Sequence, residues 1–388
     1  MSRVKRARIL DDKEAILALD RSGLFKDESE FPHNLEKAVK NVKAFKMPNE
    51  VHVGSRKIRY SEISEVTLVG MGGSAIAGDI LKDWIVGEIH VPLETIRGYS
   101  LPAYIDENSL VFFISYSGNT EETLSCMADA VKRCCKMISI CSDGALQRAT
   151  EALDLPLIRL PKMAAARASL PYLFAPLPYL LAQLGLLSVD KVDREMKDSI
   201  RVVAELTKEL SVDVPASRNL AKKMAMQIFG TVPIVYGYDP YRSVGLRFKT
   251  QVNENCKLPA RFDMFPELNH NEIMGWEASE KILRHYTLIL IRGVEERPEV
   301  KARIDVLKKK FFSRKAESVI EVRPRGETTL GRIFSLIFTL DMVSMYLAVL
   351  YHRDPVASET FQILKYEVTE RLGTLRRLEE QIQKFALA

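Results

Sequence analysis

The chain has 388 residues, 47% hydrophobic and 28% charged, so it can bury a large core and exceeds the length that one core usually organises. Its 56 basic and 51 acidic residues leave a net charge of +5 and are spread along the chain. This excludes the concentrated cationic surface that duplex nucleic acid requires and leaves small anionic ligands open.

Short apolar runs alternate with amphipathic segments along the chain, a pattern typical of parallel strands joined by crossover helices. Helices that pack on the first domain are expected up to about residue 57. The first half then predicts strands at 66–69, 93–96, 110–115, 137–140 and 157–160. After a polar, proline-containing connection, the second half predicts strands at 233–236, 287–291 and 319–322. The sequence therefore predicts an α/β protein of two related domains, 1–212 and 213–388, each with a parallel sheet.

A glycine-rich turn follows the first of these strands, where residues 66–75 read V-T-L-V-G-M-G-G-S-A before a helical pattern. Gly72 and Gly73 let the backbone approach a phosphate, the helix start supplies N–H donors, and Ser74 adds a hydroxyl. A plain strand-to-helix connection is one alternative. A dinucleotide fold is another, but its G-x-G-x-x-G spacing needs glycine where this chain has alanine at 75.

A hydroxyl-rich loop follows the strand 110–115, and residues 115–123 read S-Y-S-G-N-T-E-E-T at the start of a helix. Its hydroxyls and free helix-start N–H groups can surround phosphate oxygens with neutral donors. The glycine turn and this loop together resemble the sugar isomerase (SIS) domain, a flavodoxin-like sheet that binds phosphosugars. The resemblance implies that the phosphate is held by Gly73, Ser74, Ser115, Ser117 and Thr120.

Acid–base residues concentrate in a turn-rich interval of the second half. N-E-N-C-K-L-P at 253–259 precedes F-P-E-L-N-H-N-E-I at 265–273, which places Glu254 and His270 close together in the sequence with two further glutamates. Aldose–ketose isomerisation needs a base that moves a proton between neighbouring carbons and a group that stabilises the enediolate oxygen. From the residues alone, a surface carboxylate and a turn-capping histidine remain alternatives.

These motifs resemble the bifunctional phosphoglucose/phosphomannose isomerases of the phosphoglucose isomerase superfamily. The resemblance implies that Glu254 shuttles the proton and that His270 assists ring opening, reaching in from the partner subunit of a homodimer. It also implies that Arg167, in P-K-M-A-A-A-R-A-S-L, stabilises the enediolate, although the proline lies farther from this arginine than in the family pattern. An ordinary surface arginine is the alternative.

The late segment 354–365, D-P-V-A-S-E-T-F-Q-I-L-K, resembles the stretch in which the family places a lysine against the sugar ring. The resemblance implies that Lys365 is a catalytic residue and that Ser358 lines the substrate pocket. In the superfamily, a small hydroxyl residue at that position accompanies acceptance of mannose 6-phosphate as well as glucose 6-phosphate. A solvated helix lysine is the alternative for Lys365.

The cysteines, histidines and apolar segments of the sequence argue against several other classes of protein. Five cysteines without C-x-x-C spacing and six isolated histidines indicate neither a disulfide framework nor a metal centre, so no metal and no cofactor are expected. The N-terminal basic run lacks the apolar stretch of a signal peptide. The apolar segment 333–351 has Asp341 in its middle and is interpreted as a buried core helix rather than a membrane span. A cytoplasmic protein without membrane or nucleic-acid partners is expected.

The expected function is metal-independent isomerisation of glucose 6-phosphate, and of mannose 6-phosphate, to fructose 6-phosphate through a cis-enediolate. Two other functions remain open. A non-catalytic SIS-type regulator would bind sugar phosphate without needing both Glu254 and His270. An SIS isomerase for another phosphosugar would share the phosphate loops but not the N-E-N and N-H-N-E motifs.

Overall fold

The computed structural model describes residues 1–386, apart from the side chains of Lys365, Thr369, Glu370 and Ala386. In chain order its α-helices are α1 (Arg3–Asp11), α2 (Lys13–Leu19), α3 (Leu24–Ser29), α4 (Phe31–Ala44), α5 (Gly72–Ile85), α6 (Glu121–Lys132), α7 (Gly144–Ala152), α8 (Leu170–Phe174), α9 (Pro176–Gln183), α10 (Val189–Leu210), α11 (Leu220–Ile228), α12 (Arg242–Gln251), α13 (Glu280–Leu283), α14 (Pro298–Leu307), α15 (Ser313–Lys315), α16 (Thr329–Leu350), α17 (Glu359–Leu364) and α18 (Thr374–Ala386). Its strands are β1 (Glu50–Val53), β2 (Arg56–Arg59), β3 (Glu65–Val69), β4 (Leu93–Ile96), β5 (Ser109–Ser115), β6 (Lys136–Cys141), β7 (Leu157–Arg159), β8 (Val232–Gly237), β9 (Arg261–Met264), β10 (Tyr286–Ile291) and β11 (Ser318–Val322).

The chain forms two compact units, neither of which is continuous in sequence. Unit 1 comprises residues 1–32 and 195–357, and unit 2 comprises residues 33–194 and the chain from 358 onward. The predicted division at residue 212 therefore differs from the structure in the two terminal segments. Helix α1 packs on α11 and α16 of the second half, while α18 packs on α6 and α7 of the first half. The first 32 residues therefore belong to unit 1, whereas the sequence predicted that they belong to the first domain.

Unit 2 is built on a parallel sheet with the strand order β4-β3-β5-β6-β7. Every residue of β5 is buried, as expected for a central strand covered by helices on both faces. This order places a topological switch point between β3 and β5, where ligands bind in sheets of this class. A β1–β2 hairpin precedes the sheet, so the expectation of helices up to residue 57 is wrong for residues 50–57.

Unit 1 has a parallel sheet with the order β9-β8-β10-β11, which repeats the order of the first four strands of unit 2. The strands predicted in both halves are all present, each within one residue of its predicted ends. The α/β class with two parallel sheets is therefore confirmed. The edge strand β9 was not predicted, because its sequence R-F-D-M is short and half polar.

Helix α16 is long and apolar enough to cross a membrane, but its apolar stretch is completely buried inside unit 1. Thr328 caps its start by accepting a hydrogen bond from the Gly331 N–H. The carboxylate of Asp341, 1% exposed, binds the guanidinium of Arg247 from α12 at 2.7 and 2.9 Å. The prediction of a buried core helix is confirmed, and its central charge is paired as a buried charge must be.

Candidate active site

The two predicted phosphate loops meet at the carboxyl edge of the unit 2 sheet. The hydroxyl of Ser74, in the first turn of α5, accepts a hydrogen bond from the backbone N–H of Tyr116 at 3.2 Å. The hydroxyls of Ser115 and Thr120 lie 2.8 Å apart. Ser117 accepts a hydrogen bond from the Asn119 N–H at 3.2 Å. The structure thus brings together the hydroxyls that the sequence singled out, beside the N-termini of α5 and α6.

The glycine turn also touches the backbone of Arg167. A Cβ atom at Gly73 would lie 3.4 Å from the Cα of Arg167, so a larger residue would press on this segment. Arg167 belongs to the 3₁₀ turn Ala166–Ser169 that leads into α8, and it is only 8% exposed. The alternative of an ordinary surface arginine is therefore wrong, because the residue is buried and its backbone lies against the glycine turn. Its role in stabilising the enediolate stays a prediction.

The hydroxyl-rich loop is hydrogen-bonded to the segment where the connection from β6 enters α7. Leu146 N–H donates to the Gly118 carbonyl at 2.8 Å, and Ala145 N–H donates to the Asn119 side-chain oxygen at 3.0 Å. Gly118 has φ +65°, and a Cβ atom there would lie 1.6 Å from the Asp143 carbonyl oxygen. Only glycine fits this position. The loop is therefore preorganised by main-chain packing, a role that motif spacing did not reveal.

Tyr116 was not predicted as a site residue, yet it joins three parts of the site. Its backbone N–H meets Ser74, as described, and its carbonyl accepts from Ser142 at 3.0 Å. Its phenol accepts from the Met163 N–H at 2.7 Å and lies 3.0 Å from the Met163 carbonyl. Tyr116 therefore ties the hydroxyl loop to the segment that precedes Arg167. Its place between the two serines of the motif is the signal that could have identified it.

In unit 1, Glu254 lies on a π-helical turn, Val252–Cys256, that continues α12. Its side chain is exposed. The turn is fixed to α16, because the amide of Asn255 donates to the Ser344 hydroxyl at 2.8 Å and the Cys256 thiol lies 3.0 Å from the Ser344 carbonyl. Single π-turns occur frequently at functional sites, since the extra residue displaces a side chain from regular helical register.

Lys257 ends this turn in the left-handed conformation, with φ +56°. Its ammonium donates to the carbonyls of Asp354 and Pro355 at 2.8 and 3.1 Å. The carboxylate-bearing turn is therefore bonded to the segment that leads to Ser358. Sequence reasoning missed this lysine, although it lies within the N-E-N-C-K-L-P motif.

His270 ends the 3₁₀ turn Glu267–His270, which follows β9, and its side chain is exposed. The turn is held by its own bonds, including one from the Asn271 amide to the Glu267 carboxylate at 2.9 Å. Glu272, in the same motif, instead accepts from the Tyr236 hydroxyl at 2.9 Å and pairs with Arg261 at 2.7 Å. Glu272 is thus bonded to two neighbouring side chains. The side chains of Glu254 and His270 are exposed on separate turns of unit 1.

The two late candidates belong to unit 2. The Ser358 hydroxyl accepts from the Phe361 N–H at 3.3 Å, as an N-cap of α17 does. Lys365 begins the π-helical segment Lys365–Glu370, and its side chain lies outside the described part of the structure. Their assignments stay predictions.

A cavity of about 460 Å³ lies in unit 1. Trp276 and Leu283 form its apolar wall, and Arg261, Asn271 and Glu272 line its polar side. It includes the residue after His270 but none of the predicted site residues, and the phosphate loops belong to the other unit. The cavity therefore does not coincide with the predicted site.

Two family descriptions match the chain. A "SIS domain" matches residues 60–175, and a "Bacterial phospho-glucose isomerase C-terminal SIS domain" matches residues 217–368. The matches cover the sheets of unit 2 and unit 1, respectively.

Curated relatives match over most of the chain. A bifunctional phosphoglucose/phosphomannose isomerase of Caldicellulosiruptor bescii is 36% identical over 84% of this chain and 95% of its own length. The protein of the same description from Aquifex aeolicus is 33% identical over 78% of this chain and 90% of its own length. Among solved structures, a hypothetical protein of Thermus thermophilus matches with a TM-score of 0.67 at 17% identity, covering 95% of this chain and 96% of that one. This last likeness concerns the fold alone.

Proposed function

This chain belongs to the family of bifunctional phosphoglucose/phosphomannose isomerases, and we propose that it interconverts glucose 6-phosphate and mannose 6-phosphate with fructose 6-phosphate. The family and the two SIS domains predicted from the sequence are confirmed by these matches. The observation that carries the proposal is the meeting of the glycine turn with the hydroxyl-rich loop in unit 2, through the hydrogen bond from the Tyr116 N–H to Ser74. Within the hydroxyl-rich loop, the hydroxyls of Ser115 and Thr120 face each other.

The phosphate of the sugar is held in unit 2 by neutral donors. Hydroxyls of Ser74, Ser115, Ser117 and Thr120 supply hydrogen bonds, and the first N–H groups of α5 and α6 add theirs with the favourable ends of the helix dipoles. The Gly73 backbone leaves room for this approach. Because the loop is fixed by main-chain packing, little ordering is required when substrate binds.

The chemistry is proton transfer between neighbouring carbons. Glu254 removes the proton from carbon 2 of the open-chain aldose, and the electrons of that C–H bond form the double bond of a cis-enediolate. The hydroxyl proton on oxygen 2 passes to oxygen 1, and the same carboxyl group returns its proton to carbon 1, which leaves the carbonyl at carbon 2 and gives the ketose. The guanidinium of Arg167 stabilises the negative oxygen of the intermediate. The π-turn supports this role because it holds an exposed carboxylate on a fixed backbone.

The remaining assignments rest on the family resemblance. His270 assists ring opening and reaches the site from the partner subunit of a homodimer, which fits its exposure on a turn of unit 1. Lys365 contacts the sugar, and Ser358 lines the pocket and permits the mannose epimer. The reaction needs no metal ion, since a carboxylate, an imidazole and a guanidinium suffice. The enzyme acts in the cytoplasm.

The test is replacement of the proposed base, Glu254→Gln, which keeps the side-chain volume and removes the proton acceptor. Turnover of glucose 6-phosphate and mannose 6-phosphate, followed as fructose 6-phosphate formed in the presence of EDTA, should fall about 100-fold or more while KM changes little. Glu277→Gln is the matched control, because Glu277 is an exposed carboxylate in the same half of the chain, and it should retain near-normal turnover. Near-normal turnover of the Glu254 variant would reject the assignment, and an inactive wild type would reject the proposed function.

A further inference from the structure

The sheets of unit 1 and unit 2 share one strand order, but the loops at their switch points carry different side chains, hydroxyls in unit 2 and carboxylates in unit 1. In unit 2 the switch point is surrounded by hydroxyls, whereas in unit 1 the loop after β10 carries Glu295 and Glu296. We propose that the second switch point is an oxyanion site occupied by the chain's own carboxylates. Unit 1 is thereby closed to the phosphate that unit 2 binds.

The positions correspond by topology. Strands β8 and β10 are the first and third strands of their sheet and lie side by side at its centre, as β3 and β5 do in unit 2. The loop after β10 therefore corresponds to the hydroxyl-rich loop after β5. Ligands of such sheets bind outside the carboxyl ends of these two strands.

The carboxylate of Glu296 accepts hydrogen bonds from donor groups of the kind that bind phosphate. Its carboxylate accepts from the backbone N–H of Gly293 at 3.0 Å and from the Arg292 guanidinium at 2.7 and 2.9 Å. The Glu296 side chain is only 4% exposed and that of Arg292 only 3%. A backbone N–H and a guanidinium fork are a common pair of oxyanion ligands.

Glu295 joins the loops of both central strands. One of its oxygens accepts from the hydroxyl of Tyr241, in the loop after β8, at 2.6 Å. The other accepts from the guanidinium of Arg332 on α16. Both central strand ends are thus bridged by a carboxylate of the chain itself.

One donor at this point is left over. Tyr238, directly after β8, is 3% exposed, and its hydroxyl has no hydrogen-bond partner within the described residues. A Cβ atom at Gly293 would lie 2.6 Å from this hydroxyl oxygen and 3.0 Å from a Glu295 oxygen. The Gly293 backbone, the Tyr238 hydroxyl and the Glu295 carboxylate are therefore close neighbours. A buried, unpaired hydroxyl costs about 1–3 kcal/mol. This hydroxyl is the donor that Glu295 and Glu296 leave unsatisfied, so it can donate to a phosphate oxygen once Glu295 is removed.

Glu295 is the residue to remove. Its loss removes the carboxylate partner of Arg332, but that guanidinium keeps its hydrogen bonds to the backbone carbonyls of Gly326 and Glu327. The pair of Arg292 with Glu296 is not affected. Glu295→Ser should open the site while leaving a small hydroxyl like those of unit 2. Glu295→Gln is the matched control, because it keeps the volume and can still accept from Tyr241 or Arg332, so that the site stays filled.

The experiment titrates full-length protein with inorganic phosphate in a calorimeter. The parent carries Ser115→Ala and Thr120→Val, which weaken the unit 2 site. Adding Glu295→Ser should add one phosphate site per chain that binds about tenfold more tightly than any site left in the parent, whereas Glu295→Gln should add none. A folded Glu295→Ser protein with no added site would overturn the proposal.

A second measurement needs no Glu295 variant. Trp276 lies in unit 1 and Trp84 in unit 2, so in a Trp84→Phe background the fluorescence of Trp276 follows unit 1. With Glu295 intact and the unit 2 loop weakened, phosphate should leave the unfolding midpoint of unit 1 unchanged. A midpoint that rises with phosphate would mean that the site is open and would reject the proposal. Neither outcome depends on isomerase activity.

Discussion

The two units hold their key elements by different means. In unit 2 the hydroxyl loop is fixed by main-chain packing around Gly118, with the Asp143 carbonyl at the place where a side chain would begin. In unit 1 the central helix α16 is fixed by charges, through the buried Arg247–Asp341 pair and through Asp198, which binds the turn before the helix. Unit 2 should therefore be sensitive to added volume, and unit 1 to loss of charge. The two tryptophans, one in each unit, allow the two responses to be measured separately.

The largest effect is expected from the buried pair of unit 1. Asp341→Asn removes the carboxylate charge that pairs with the Arg247 guanidinium, which is 2% exposed. The free energy of unfolding of unit 1 should fall by about 3–5 kcal/mol, because an uncompensated buried charge is costly. Urea unfolding followed by Trp276 fluorescence in a Trp84→Phe background measures this.

The matched control replaces both partners, Arg247→Met with Asp341→Leu. This double variant should recover most of the lost stability, since burying an ion pair offers little net gain over apolar residues. The signal of Trp84, read in a Trp276→Phe background, should change little in either protein. An equal loss seen by both tryptophans would contradict the contrast between the units.

A smaller effect is expected from added volume in unit 2. Gly118→Ala places a methyl group against the Asp143 carbonyl and forces a left-handed φ on alanine. Unit 2 should lose about 2–3 kcal/mol in urea unfolding followed by Trp84. Gly87→Ala is the control, because a Cβ atom there meets nothing within 4 Å, and it should be neutral. If both substitutions had the same effect, main-chain packing would not be what holds the loop.

The smallest effect is a pH-dependent one in unit 1. Burial raises the pKa of Asp198, but hydrogen bonds from Thr328, Arg201 and Glu327 outweigh it and hold the pKa below its usual value. A lowered pKa contributes stability above the unfolded value of about 4, and that contribution is lost as the pH falls through the folded value. Asp198→Asn should therefore cost about 1–2 kcal/mol at pH 7.

The difference between wild type and Asp198→Asn should shrink as the pH falls below about 4. Unfolding of unit 1 at several pH values, followed by Trp276, measures it. A difference that stayed constant down to low pH would mean that the carboxylate charge of Asp198 does not carry the effect.

Much of the fold was predictable because the central strands are apolar runs buried on both faces. The edge strand β9 and the β1–β2 hairpin were not, since half-exposed strands carry mixed residues. The sequence also did not predict to which unit each terminal segment belongs. Asp11 in α1 accepts from the Ala216 N–H at 2.7 Å, and Glu379 in α18 pairs with Arg148, but no local pattern specifies such distant partners.

The candidate site divides in the same way. The hydroxyl-rich loop was predicted from the sequence because its hydroxyl residues lie close together in one short motif. The π-turn under Glu254 was not, because it depends on Asn255 and Cys256 meeting Ser344 on a distant helix. Glu295 and Glu296 likewise lie in a sequence typical of an exposed loop, and only the structure shows which donors they bind.

The bonds from the Lys257 ammonium to the carbonyls of Asp354 and Pro355 have a mechanical consequence. Three residues after Pro355 the chain leaves unit 1 for unit 2, so the crossing point is fastened to the turn that carries Glu254. The last residues of unit 1 and the backbone of the Glu254 turn are therefore cross-linked by one ammonium group.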